Sequence, residues 1–230
     1  MIVAISGGKG GVGKTTVSLN LARALDAVVV DGDLTTPDLP RGRGPDMHDV
    51  LAGRAGPMEA VEEFDDVHVL PCGRTLDGAS AADVSNLENA VSLLDRRFEY
   101  VLVDCPAGLA RDVGHQLRCA DAAVLVTMAN RPALWNALKT RQLAMDVETP
   151  IACIVVNKAT SDAAGIVADR VEERIGTPTH VLEEYDAIFE SQDDGHPVHH
   201  VAPDCDGLET FDDVAAEVVR CGEHIRSASR

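Results

Sequence analysis

Aromatic residues make up only 3% of the chain, so any core must be built from valine, alanine, leucine and isoleucine. Lysine is nearly absent: Lys9, Lys14, Lys139 and Lys158 are all there are, and the other basic residues are arginines. Basic side chains number 20 against 38 acidic ones, a net charge of -18. A field of that sign repels nucleic-acid phosphates and anionic lipid surfaces, so neither direct nucleic-acid binding nor a basic membrane anchor is expected. No C-x-x-C is present, and the closest of the six cysteines, Cys105 and Cys119, are fourteen positions apart. A local zinc or iron–sulfur clip is therefore not expected, and the cysteines read as small buried hydrophobes in a reducing cytosol. No apolar run approaches the roughly 18 residues of a membrane span. The opening "MIVAISGG" has no basic region ahead of its apolar stretch, so it does not read as a signal peptide, and a cytoplasmic location is expected.

No Pro/Gly/Ser-rich linker and no internal repeat divides the 230 residues, which read as a single domain over 1–230. Short apolar runs alternate with segments of helical period. The runs Ile2–Ser6, Val28–Asp31, Val67–Leu70, Tyr100–Asp104, Ala122–Thr127, Ile151–Asn157 and Thr179–Leu182 are continuous rather than alternating, as strands covered on both faces must be. Helices are predicted over Thr15–Leu25, Asp83–Arg96, Ala133–Met145 and Asp162–Ile175. The order implies an α/β fold: a mostly parallel twisted sheet with helices on both faces. Such folds bind ligands beyond the carboxyl ends of their strands.

The strongest motif follows the first strand. Gly8-Lys9-Gly10-Gly11-Val12-Gly13-Lys14-Thr15 fits G-x-x-x-x-G-K-[ST], with a strand before it and a helix after it. Its glycines let successive N–H groups turn inward on phosphate oxygens, and the helix start adds its positive dipole end. Lys14 is expected on the β- and γ-phosphates, the Thr15 hydroxyl on Mg²⁺, and Thr16 near the α-phosphate. The cofactors implied are ATP and Mg²⁺.

The stretch "KGGVGKTT" carries a second lysine, Lys9, and resembles the deviant phosphate loop of the MinD/ParA superfamily of P-loop ATPases. That resemblance implies that Lys9 crosses a dimer interface to the partner's nucleotide, so that dimerisation depends on ATP. "VVVDGDLTTPDL" is similar to the segment leading into the superfamily's first switch. It implies that Asp33 orients the attacking water within the magnesium set, with Asp31 close by. Acidic strand-end residues capping a turn are the alternative reading of this pair. "DCPAG" is similar to the MinD branch's D-x-P-A-G. It implies a magnesium-holding Asp104, a γ-phosphate contact at Gly108 and a second switch over 104–113. Asn157, ending "IVVN", matches the adenine-reading Asn, and Glu183 lies in the stretch aligned with the adenine loop. "FESQDDGHPV" matches the closing segment of MinD-like proteins. Where the family has Asn-Leu after the first switch, this chain has Asp38-Leu39.

The acidic surface resembles that of proteins from halophilic archaea, in which high salt screens self-repulsion. An acidic partner-binding face is the other reading of it. Phe211, Val214, Ala215, Val218 and Val219 form one apolar stripe without a basic cluster, which predicts a last helix packed on the domain rather than an anchor. His196, His199 and His200 read as surface or core histidines. The resemblance implies a slow ATPase that dimerises on Mg-ATP and positions an unidentified protein partner, a division or motility component. Two other readings stand beside it: an Mrp-like ATP-gated carrier of a metal cluster or cofactor, and a scaffold that holds nucleotide without turning it over.

Overall fold

A computed structural model describes residues 1–108, 111–160 and 163–228. The start of the predicted helix at Asp162, and positions 109 and 110 of the predicted second switch, lie outside the described residues. The described residues form eight strands: β1 (Ile2–Ser6), β2 (Val28–Asp31), β3 (Glu62–Phe64), β4 (Val67–Leu70), β5 (Val101–Asp104), β6 (Ala122–Met128), β7 (Ile151–Ala159) and β8 (Thr179–Glu183). The main helices are α1 (Lys14–Leu25), α2 (Met47–Leu51), α3 (Leu76–Ala81), α4 (Leu87–Asp95), α5 (Arg111–Cys119), α6 (Arg131–Asp146), α7 (Ala163–Ile175), α8 (Asp186–Asp194), α9 (Val198–Val201) and α10 (Gly207–Ala228).

The strands form one sheet in the order β3-β4-β2-β5-β1-β6-β7-β8. All pairings are parallel except β3 with β4. β1, β2 and β5 are buried along their whole length, which is why their sequences carry unbroken apolar runs. β3 is short, acidic and antiparallel, and it closes one edge against further pairing.

Two cores lie on the two faces of the sheet. One gathers Val3, Ile5 and Val29 with Val17 and Leu21 of α1 and with Phe211, Val214 and Val218 of α10. The other gathers Ala4, Val28 and Val30 with Met47 and Leu51 of α2, Val91 and Leu94 of α4, and Leu117 of α5. The stripe on the last helix is thus core, as expected: Phe211, Val214, Ala215 and Val218 are buried against the first. Each fully buried Leu or Val contributes about 1.5–3 kcal/mol over exposure, enough to fix α10 on the sheet. No helix among the described residues is long and apolar enough to cross a membrane.

Candidate nucleotide site

Three central strands end at one place. β1 runs out into the glycine loop, while β2 and β5 end at Asp31 and Asp104, which lie side by side in register. β1 sits between β5 and β6. That is the kind of crevice in which a doubly wound sheet receives its ligand.

The loop is built by close approach. A Cβ on Gly7 would lie 2.5 Å from the carbonyl oxygen of Val126, and one on Gly8 2.4 Å from that of Asn136. Gly13 adopts φ 94°, a left-handed conformation, and a Cβ there would lie 2.1 Å from Nδ2 of Asn157. Val12 is buried beneath the loop. The N–H of Val17 donates to the Gly13 carbonyl at 3.0 Å, starting α1 directly from the turn.

Lys14 is buried at 8% exposure, whereas Lys9 is exposed. The two lysines therefore face different environments. The Thr15 hydroxyl donates to Oδ2 of Asp104 at 2.6 Å, and the Ser18 hydroxyl donates to Oδ1 at 3.1 Å. Thr16 accepts a hydrogen bond on its hydroxyl from the Gln192 side-chain amide. Asn20 donates to the Thr16 carbonyl at 2.8 Å and accepts from the Val198 N–H at 2.8 Å, tying α1 to the start of α9.

A cavity of about 270 Å³ opens over this floor. Gly11, Gly13, Lys14, Thr15 and Thr16 form one side of it, with Asp38, Lys158, Gln192, Gly195 and His196 around the rest. Three of the chain's four lysines thus lie in the loop or at the cavity. A larger cavity of about 340 Å³ lies elsewhere, between α6 and α7, and is lined mainly by apolar side chains such as Leu134, Leu138, Val167 and Val171. Its described lining includes Arg141, Arg170 and Arg174 but no glycine loop and no carboxylate, both of which lie at the smaller cavity.

The carboxylates show what the site is prepared to hold. Burial pushes the Asp104 carboxyl up to about 6, against the pull of Thr15, Lys14 and Ser18. Asp31 is raised well above the usual range, first by burial and then by Asp104 beside it. Its Oδ2 is buried without a hydrogen-bond partner. Two desolvated carboxylates and a hydroxyl, all hard oxygen donors, are a set that fits Mg²⁺. Thr15 and Asp104 would hold the ion, directly or through water, with Asp31 in support, and the ion would supply charge to neutralise the phosphates.

Other expected residues lie differently. The Asp33 carboxylate caps a turn: it accepts from the N–H groups of Thr35 and Thr36 at 3.2 and 2.9 Å and from their hydroxyls at 3.0 and 2.9 Å. Three of these bonds fall on Oδ1 and one on Oδ2. Asn157 is buried and holds the loop itself, donating from Nδ2 to the Val12 carbonyl at 2.8 Å and accepting from the Lys158 N–H at 2.8 Å. Glu183 is exposed at the end of β8 and is not among the residues lining the cavity. Gly108 has φ 93°, and Ala107 lies beside Gly10, its Cβ 3.7 Å from where a Gly10 Cβ would be.

Sequence reasoning missed Ser18, Asn20, Gln192 and Lys158. Ser18 and Asn20 lay in the first predicted helix, Gln192 in the closing segment, and Lys158 directly after Asn157. His196, His199 and His200 read from the sequence as surface or core histidines, whereas the fold brings Asp65 to His196 and His200.

The family model described as "ParA: NUBPL iron-transfer P-loop NTPase" matches residues 1–219. An uncharacterized ATP-binding protein of Methanocaldococcus jannaschii is 32% identical over 183 residues, covering 75% of this chain and 70% of that protein. The crystal structure of the cell division ATPase MinD of Pyrococcus furiosus superposes with a TM-score of 0.87 at 31% identity, covering 95% of this chain and 98% of the other. The septum site-determining protein MinD of Pyrococcus horikoshii OT3, complexed with Mg-ADP, superposes at 0.82 and 30% identity, covering 94% and 95%. The chain belongs to the ParA family of P-loop NTPases, in the MinD/ParA superfamily.

Proposed function

We propose that this chain is a MinD-like ATPase of the cytoplasm that binds Mg-ATP, dimerises on it, hydrolyses it slowly and so controls where a protein partner is placed. The observation that carries the reading is the contrast between the two loop lysines: Lys14 is buried at the phosphate floor, and Lys9 is exposed on the same loop. A buried lysine serves its own nucleotide. An exposed one, on a loop pressed against the Asn136 backbone of α6, is free to serve a second chain's.

The surface next to it is suited to association. Trp135, adjacent to Asn136, is 61% exposed, an unusual state for the only tryptophan of an aromatic-poor chain. Lys139 stands 5.9 Å over its ring. Large exposed aromatics are characteristic of interface cores. Two nucleotides brought face to face repel, and a lysine from each side offsets that repulsion.

In the cycle, Lys14 and the loop N–H groups hold the phosphates, and Thr15 and Asp104 hold the magnesium shell. Asp33 leaves its threonine turn to orient water, and Gly108 reports the γ-phosphate to the second switch. That extra step at Asp33 accounts for slow turnover. Asn157 keeps the loop in shape and reaches the base from beneath it.

An ATP-gated metal carrier is the second reading, and the matched family's iron-transfer description favours it. Against it, Cys72, Cys105 and Cys153 are buried, and burial pushes their thiols up, so these three are not prepared as thiolate ligands.

Hydrolysis measured as a function of protein concentration tests the proposal. The rate per chain should rise with concentration in wild type, lie at background in Lys14→Ala, and lose its concentration dependence in Lys9→Ala. A rate indistinguishable from Lys14→Ala at every concentration would favour the nucleotide-holding scaffold.

A further inference from the structure

Away from the phosphate floor, Asp65, His196 and His200 converge on one point. Asp65 is in the turn joining β3 to β4. His196 precedes α9, and His200 lies within it. The Nδ1 of His196 contacts Oδ2 of Asp65, and the Nδ1 of His200 is 3.6 Å from Oδ1 of the same carboxylate. The two imidazoles are stacked, with centroids 5.1 Å apart and planes at 22°. One ligand atom from each of the three residues lies within 4.8 Å of the others.

We propose that these three side chains form a binding site for a borderline transition-metal dication, Zn²⁺ in particular, distinct from the magnesium site. The donor set is two imidazole nitrogens and one carboxylate oxygen, which suits zinc and not magnesium. Tetrahedral zinc with bonds of about 2.0–2.1 Å places its ligand atoms about 3.3 Å apart. The cluster is therefore within a small side-chain adjustment of that geometry. The His196 to His200 interval falls within the usual zinc spacing of two histidines. The open side leaves the fourth position to water: side-chain exposure is 24% at Asp65, 38% at His196 and 54% at His200.

A metal held by both ring nitrogens and the carboxylate would turn the stacked pair into two ligands. It would also tie the β3–β4 turn to the wall of the nucleotide cavity, because His196 lines that cavity and Gln192 of the same wall bonds Thr16.

The test uses the whole, chelator-stripped and reduced protein without nucleotide, titrated with Zn²⁺ alone by calorimetry. It is repeated on His200→Ala and Asp65→Asn, which change residues outside the cavity lining. A Co²⁺ titration reads the ligand type. One Zn²⁺ per chain is expected, weakened at least about tenfold in each variant. The Co²⁺ form should show visible bands without a thiolate charge-transfer band. No Zn²⁺ binding in wild type would overturn the proposal. So would binding undiminished in both variants, which would place the ion on the Asp31–Asp104 carboxylates. A thiolate band would likewise overturn it by placing the ion on cysteine.

Discussion

The Thr15 hydroxyl donates to Asp104 at 2.6 Å across 89 positions of sequence, joining the end of the phosphate loop to the end of β5. The bond orients the carboxylate and brings together the two groups proposed to hold magnesium. Thr15→Ala removes one oxygen donor and frees the carboxylate to turn. Because hydrogen bonds to charged groups contribute about 1.5–3 kcal/mol, Mg-ATP affinity should fall by tenfold or more. Calorimetric titration with Mg-ATP checks this; Thr15→Ser should recover most of the loss.

Asn157 holds the loop from beneath. Asn157→Ala would leave the Val12 carbonyl buried without its partner and open a gap under Gly13. The expected cost is about 2 kcal/mol, or roughly 4–8 °C in Tm for a chain of this size. Thermal unfolding without nucleotide would show it. An unchanged Tm would mean that the bond to Val12 adds nothing to the stability of the fold.

The two raised carboxylates set a pH dependence. Asp104 has a folded-state pKa of about 6, above its ordinary value near 4, and Asp31 is shifted in the same direction. Between those values the folded state holds more protons than the unfolded one, so stability falls as pH rises. For Asp104 the loss is on the order of 3 kcal/mol, complete above about pH 6; Asp31, raised by burial, adds to the fall in the same direction. Denaturant titrations in chelator across pH 4–8 should show the fall, and Asp104→Asn should flatten it.

Much of this was legible in the sequence because the signals are local. The strands of the buried sheet announce themselves as unbroken valine-rich runs, and each core strand lies within a residue or two of its expected bounds. β3 gave no such signal: two of its three residues are glutamate, and it pairs only as an acidic edge. α2 is too short for a hydrophobic period and rests on a capping box between Asp46 and Asp49. In the site, the glycine loop is contiguous and was read residue by residue. Ser18 on Asp104, Gln192 on Thr16 and Asn20 on Val198 join positions 86, 176 and 178 apart, which only the fold brings together. The Asp65–His196 contact spans 131 positions, and the sequence shows only its histidine half.

The acidic surface predicts salt dependence. At 0.1 M the Debye length is about 10 Å, and at 1 M about 3 Å, so self-repulsion of a chain carrying -18 is removed by salt. Tm should rise steadily as KCl is raised from about 0.1 to 2 M. A flat or falling curve would favour an acidic docking face over adaptation to a high-salt cytoplasm.

The dimer switch is tested most directly by light scattering in high salt with Mg²⁺ and ATP, ADP or no nucleotide. Wild type should double its mass only with ATP. Asp33→Ala should hold the doubled mass by slowing hydrolysis, and Lys9→Ala should remain a monomer while still binding ATP. A monomer under every condition with nucleotide bound, or a Lys9→Ala protein that dimerises like wild type, would contradict the account.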